Sequence, residues 1–294
     1  MSLRELFTLI KNNLKPLVIV LVCFSVIGVS FSLSLSNVYT SKAVLQPNSL
    51  PDQNNSSAGG LNSLAKAVGF SGNTDNDRVL LGEAVIKSLA FSNLFRDNQK
   101  FVVDLIAAKD WSSSKGIIYD SSIYDSKKKV WRKKRILASD GKISPLNLHK
   151  ELEKRLSFSI DEDSGFVTVS FKHYSPEFAK NTLDSIILNL NNFLKDYDYN
   201  EASNSIEFLL QTLNRQSAIE VRESISNLIA SQLKVATLAQ SSNSYLFRTI
   251  DPPFMPEKKS GPPRAIICIL FFFTGAFGFI SFLFIRETYI LENS

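Results

Sequence analysis

The sequence predicts an α+β membrane protein: two transmembrane helices flank one large extramembrane domain, which has an α/β base near the membrane and a long extended helix. Three observations carry this. Pro16–Ser36 and Ala265–Ile285 contain no Asp, Glu, Lys or Arg, and each supplies the ~20 residues that a helix needs to cross a bilayer core. Residues 156–171 alternate apolar and polar, the period of a strand with one buried face. From Glu177 to Asp251 there is neither Gly nor Pro, and apolar residues recur at three- and four-residue steps. A simple soluble enzyme and a many-helix transporter are both excluded by this layout.

The elements follow in order. Met1–Lys15 is a basic head carrying Arg4, Lys11 and Lys15. Pro16–Ser36 is the first span. Its apolar run exceeds the ~7–15 residues of a signal-peptide core, so it reads as an uncleaved anchor. Charges flanking the two spans nearly balance, because Lys258, Lys259 and Arg264 crowd the second span. The first span usually dominates orientation and long loops cross regardless of charge, which places both termini in the cytoplasm and residues 37–264 across the membrane.

Asn37–Gln46 reads as a strand, Pro47–Gly60 as a loop rich in Asn, Ser and Gly, and Asp77–Phe95 as a helix, with a second short helix through Val102 and Ile106. Leu156–Phe171 is a hairpin whose turn is Asp161–Gly165. Ser175-Pro176 starts a helix, with a serine cap and a proline where the missing N–H costs nothing. Ala179, Leu183, Ile186, Ile187, Leu190, Phe193 and Leu194 form its apolar stripe. The helical region extends over about 177–240. Unbroken over Glu201–Gln240, it is too long for a compact domain to bury, so it projects and seeks partners, most simply copies of itself; the alternative is two antiparallel helices turning near Asn214–Ser217. A short strand, Tyr245–Ile250, leads into the proline-rich segment 252–263. Asp251, Pro252, Pro253, Pro256, Pro262, Pro263 and Arg264 mark a stiff approach to the second span, Ala265–Ile285, before the tail 286–294.

Chemistry is sparse. The chain has 33 Lys+Arg, 28 Asp+Glu and two His, a net charge of +5 that does not by itself argue for nucleic acid. Cys23 and Cys268 both lie in the spans, so the large domain has no disulfide framework and no thiolate metal site. His149 and His173 are far apart, and His173 reads as a surface or edge residue. No metal-ligand spacing, serine-hydrolase elbow or phosphate-binding loop occurs, so no cofactor and no metal is implied. Asp161, Glu162 and Asp163 read as a solvated turn rather than a glycosidase pair. We read a non-enzyme.

Two features remain. Lys127, Lys128, Lys129, Trp131, Arg132, Lys133, Lys134 and Arg135 set seven cations around a tryptophan, either a polyanion or polysaccharide contact or a charged edge that repels strand pairing. In the spans, Gly28, Ser32 and Ser36 fall at four-residue steps and Gly275 and Gly278 offer a second small face, a pattern that lets helices pack closely in lipid.

Three stretches resemble the polysaccharide co-polymerases, specifically the O-antigen chain-length determinants (Wzz family). They are Leu3–Lys15 with its span and Val38–Ala43; Asp163–Phe171 followed by Ser175–Ala179; and, most specific, Ile250–Lys258 ending in Pro262-Pro263-Arg264. Trp111–Gly141 lies outside the resemblance. The resemblance implies a ring-like homo-oligomer in the inner membrane of a Gram-negative bacterium, with the large domain periplasmic. Its partners would be a Wzy-type O-antigen polymerase, lipid-linked polysaccharide and the membrane, with no nucleic acid, and its role would be to set O-antigen chain length in lipopolysaccharide. Two other readings stand beside it: a structural adaptor in capsule or polysaccharide export, and the membrane half of a split tyrosine-kinase co-polymerase.

Overall fold

A computed structural model describes residues 13–48, 75–241 and 244–292. Most of the basic head and nearly all of the expected loop Pro47–Gly60 lie outside the described residues. In chain order the elements are α1 (Leu14–Ser34), β1 (Tyr39–Pro47), α2 (Asp75–Ile86), α3 (Leu89–Asn93), α4 (Gln99–Ile106), β2 (Ala108–Ser112), β3 (Gly116–Tyr119), β4 (Tyr124–Asp125), β5 (Val130–Trp131), a 3-10 turn (Lys134–Ile136), α5 (Pro145–Glu153), β6 (Leu156–Ile160), β7 (Val167–His173), α6 (Pro176–Arg215), α7 (Ile219–Ser241), β8 (Phe247–Asp251) and α8 (Arg264–Glu292). They form two units, residues 1–39 with 258–294, and residues 40–257.

The first unit is a pair of apolar helices, each long and apolar enough to cross a membrane: Leu14–Ser34 and Arg264–Arg286. Helix α1 stops before the expected end of the first span. Leu35 turns to an extended backbone, with ψ of 131°, so Ser36 lies outside the helix. Beyond this point Val38 and Gly261 form an antiparallel bridge, with Val38 N–H donating to Gly261 O at 3.0 Å and Ser260 N–H donating to Val38 O at 2.8 Å.

The second unit is built on a four-stranded sheet in the order β6-β7-β1-β8. The expected hairpin forms in register, from Leu156 opposite Phe171 to Ile160 opposite Val167. Gly165, at φ +70°, supplies the left-handed residue of its turn, a conformation that glycine adopts freely. Strands β1 and β8 pair antiparallel with an irregularity at Val44/Leu45. On β7 every second residue, Val167, Val169, Phe171 and His173, is buried. Against this face lies the expected stripe of α6, where Ala179, Leu183, Ile186, Ile187, Leu190 and Leu194 join Phe91, Leu105, Leu148, Phe158 and Phe247 in one core. Each such large side chain contributes about 1.5–3 kcal/mol by leaving water.

Two helical expectations change. Asp77–Phe95 is not one helix. The Ser88 side chain accepts from Phe91 N–H at 3.1 Å, so this serine caps a new helix and ends the old one. Nor is Glu201–Gln240 unbroken: the alternative forms, two antiparallel helices with the turn near Asn214–Ser217. Helix α6 starts as expected, with Ser175 accepting from Phe178 N–H at 3.2 Å, and continues for 40 residues, about 60 Å. Gln216 is then extended and the chain returns as α7. Arg222 supplies the physical reason: its Nη1 donates to Leu213 O at 3.1 Å and Gln216 O at 3.3 Å, satisfying carbonyls that a helix end leaves open. The two helices run antiparallel, since Tyr245 OH, just past α7, donates to Asp198 Oδ2 on α6 at 2.7 Å. No buried residue of α6 lies beyond Ala202, and Phe208, Leu210, Ile219, Val221, Leu228 and Leu233 are exposed on the hairpin.

Candidate functional site

Sequence-predicted residues fall at three places. In the helix pair, a Cβ added to Gly28 would meet Phe271 Cβ at 2.8 Å, and one added to Gly275 would meet Phe24 Cβ at 2.8 Å. Each helix thus offers a glycine to a phenylalanine of the other, and neither glycine has room for a side chain. Ser32 is buried on the same face as Gly28. Gly278 is different, with nothing within 4 Å of an added Cβ, and Ser36 lies past the helix end; neither joins this packing. At the N-terminal end of α8, Arg264 Nη2 donates to Asn37 Oδ1 at 3.1 Å and Leu35 O at 3.4 Å. The guanidinium therefore ties the end of one helix to the start of the other.

The proline segment splits between the units. In residues 40–257, Pro253 and Pro256 are buried and Asp251 and Pro252 exposed. Two prolines three apart, the repeat of a polyproline II helix, are thus the buried ones. Ser41, fully buried on β1, donates its Oγ to Phe254 O at 2.8 Å and pins the segment between those prolines. The side chains of Phe254 and Met255 stay exposed. In the other unit, Pro262 is half-buried beside the Val38–Gly261 bridge and Pro263 is exposed.

The basic run forms the β4–β5 hairpin and the 3-10 turn after it. Asp125 organises it: Oδ1 accepts from the N–H groups of Lys127 and Lys128, both at 3.1 Å, and Oδ2 accepts from Arg132 Nη2 at 2.6 Å. Arg132, then the two lysine N–H groups' bonds and its other contacts, hold this carboxyl below the usual carboxylate range. The Trp131 ring packs edge-on to Tyr124 at 5.0 Å, in a small cluster with Val103, Ala107, Tyr119 and Ile123. Indole therefore anchors the hairpin, while Lys127, Lys128, Lys129, Arg132, Lys133, Lys134 and Arg135 all face solvent.

His173 corrects an expectation. It is fully buried rather than at a surface or edge. Nδ1 accepts from Ser175 N–H at 3.1 Å, which leaves the proton on Nε2 to donate to Asp104 O at 3.0 Å. Burial, then the nearby Arg155 charge, lowers its pKa to about 3, so the ring is neutral. The signal was present: His173 shares the parity of Val167, Val169 and Phe171. Its neighbour Asp104 accepts from Tyr119 OH at 2.6 Å, and burial raises that carboxyl while burial and Asp104 together raise the phenol.

Asp161 sits in the hairpin turn as expected, accepting from Ser164 Oγ at 2.7 Å and Asp163 N–H at 3.2 Å. The Ser164 hydroxyl, then the Asp163 amide, lowers its pKa. One pairing was not anticipated: Ser92 Oγ lies 2.9 Å from His149 Nδ1, with Glu153 Oε2 3.9 Å from His149 Nε2. The serine is buried, and its hydroxyl is also within hydrogen-bond distance of Ser88 O, at 3.0 Å, so its single proton has two acceptors within reach and the contact reads as a packing link between elements. The pair ties α3 to α5.

Against known proteins, residues 1–86 match the family model described as Wzz, chain length determinant protein. A solved structure described as a full-length bacterial polysaccharide co-polymerase is similar over 100% of both chains, at 12% identity and a TM-score of 0.42. A fragment of WzzB, a polysaccharide co-polymerase from Salmonella Typhimurium, is similar over 76% of this chain and 100% of its own, at 10% identity and a TM-score of 0.35. No curated protein matches in sequence.

Proposed function

We propose, for a chain whose residues 1–86 carry a Wzz chain length determinant domain, that it regulates the length of O-antigen polysaccharide in lipopolysaccharide. The family match is the observation that carries this reading. In it the chain is a non-catalytic inner-membrane scaffold. Residues 1–15 and 286–294 are cytoplasmic, 16–36 and 265–285 span the membrane, and 37–264 is periplasmic. Copies assemble through the helical hairpin and modulate a Wzy-type polymerase acting on lipid-linked polysaccharide.

Two features support it. The apolar residues exposed on α6 and α7, among them Phe208, Ile219 and Leu233, form a surface that self-association would cover. The matched Gly–Phe contacts make the two apolar helices one packed unit, suited to standing beside a membrane enzyme.

The test is a gel ladder of lipopolysaccharide from a deletion strain, with and without the chain restored. Length control predicts that a cluster of long chains collapses to a broad ladder and returns on complementation. Unchanged lengths with lost surface polysaccharide would instead indicate an export adaptor.

A further inference from the structure

The seven cations of the β4–β5 hairpin are not absorbed by the function above, and their setting differs from an ordinary charged edge. Among the described residues only Arg132 of the seven is in an ion pair, with Asp125. That carboxylate is spent inside the hairpin, where it fixes the backbone of Lys127 and Lys128. The other nearby carboxylate, Asp120, is engaged by Ser122 through its N–H and its hydroxyl. At the tip, Lys129 holds φ of 55°, a left-handed conformation that glycine adopts freely and other residues seldom do. A cation occupies the position where glycine would be least strained.

The arrangement also constrains the ligand. The cations are spread along a hairpin and the turn after it, and all are exposed, so they offer repeated solvated charge rather than an enclosed site. The Trp131 ring is half-buried and packed edge-on with Tyr124, so less of it is open to stack on a neutral sugar than in a free indole. A row of solvated cations on a preorganised frame is matched by an extended chain bearing repeated negative charges.

We infer that the hairpin of residues 124–135 is a binding surface for an acidic polysaccharide, whose carboxylates lie along Lys127, Lys128, Lys129 and the cations after Trp131. The choice of a sugar polymer rests on the function proposed above; the requirement for a linear polyanion does not.

The experiment titrates the full chain in detergent micelles with labelled polygalacturonate, with neutral dextran of equal length and vesicles of phosphatidylglycerol as further arms. Polygalacturonate should bind, dextran should not, and affinity should fall by about tenfold or more between about 50 and 200 mM salt. A Lys127→Gln, Lys128→Gln, Lys129→Gly variant, which relieves the tip and keeps Asp125, should bind at least about tenfold more weakly with unchanged helical signal, since several charge contacts are lost. Equal binding by variant and parent, equal binding of dextran, binding confined to the vesicles, or no binding would each overturn the inference. A chain that binds polygalacturonate but leaves polymer length unchanged would sink only the earlier reading.

Discussion

Asn191 grips the peptide of Phe247 from both sides. Its Oδ1 accepts from Phe247 N–H at 2.9 Å and from Leu246 N–H at 2.9 Å, and its Nδ2 donates to Phe247 O at 3.2 Å. The amide is buried, so one side chain on α6 satisfies three backbone groups where the chain enters β8. Asn191→Leu leaves these groups without partners in a dry site. It should lower unfolding stability by about 3 kcal/mol or more, read from denaturant midpoints of the full chain in detergent. Asn191→Asp keeps the acceptor but sets a second oxygen against Phe247 O in a buried site, so it should lose stability as well. A loss below about 1 kcal/mol for Asn191→Leu would show that packing, not hydrogen bonding, dominates there.

The helix pair offers a controlled comparison. Gly28→Leu and Gly275→Leu each force a side chain into a phenylalanine of the other helix and should cost about 1–3 kcal/mol. Gly278→Leu has open space and should be near neutral. Thermal loss of helical signal in detergent would rank them, and a Gly278 effect as large as the others would contradict the packing described.

His173 makes stability depend on pH in a defined direction. Its folded pKa of about 3 lies below the ordinary value of 6.5, so the unfolded chain binds a proton that the folded chain refuses. Stability therefore falls as pH drops from about 6.5 toward about 3, by roughly 2 kcal/mol on reaching about pH 5. Denaturant midpoints at about pH 7.5 and 5 should differ in the parent and converge in His173→Gln, which cannot titrate. A parent with a flat profile would show that the ring is accessible to solvent.

The strands and helix starts were legible because their signals are local. Alternation set the register of Leu156–Ile160 against Val167–Phe171, and Ser175-Pro176 marked the first turn of α6. The turn at 216–218 carried no Gly or Pro. It is closed by Arg222 reaching back to Leu213 and Gln216, a contact that exists only after the chain has turned. Ser92 meeting His149 was equally hidden, since the two are 57 residues apart. In the spans, four-residue spacing identified Gly28 and Ser32, but it extended to Ser36 because spacing does not reveal where a helix ends.

That turn supplies its own test. Arg222→Ala removes two exposed hydrogen bonds and should cost less than about 1 kcal/mol overall. Amide exchange should quicken near Leu213–Ala218 and stay unchanged in the buried stripe of α6. Faster exchange throughout α6 would mean that the hairpin tip supports the whole helix.

The proline segment predicts an asymmetry between neighbours. Pro253 and Pro256 face inward and Pro252 does not, so under the proposed function Pro253→Ala with Pro256→Ala should alter the lipopolysaccharide ladder at normal protein level more than Pro252→Ala alone. Equal ladders for all variants would remove the segment from length control.

The pairing of β1 with β8 also sets an order of events during synthesis. Gln46 lies opposite Arg248, so β1 leaves the ribosome about 200 residues before its partner exists, roughly 10–40 s at about 5–20 residues per second. Its other neighbour in the sheet, β7, also comes far later in the chain. Until β7 and then β8 emerge, the newborn segment has backbone edges open to other chains directly after the apolar helix α1, so protecting it from mispairing is one requirement of producing this protein.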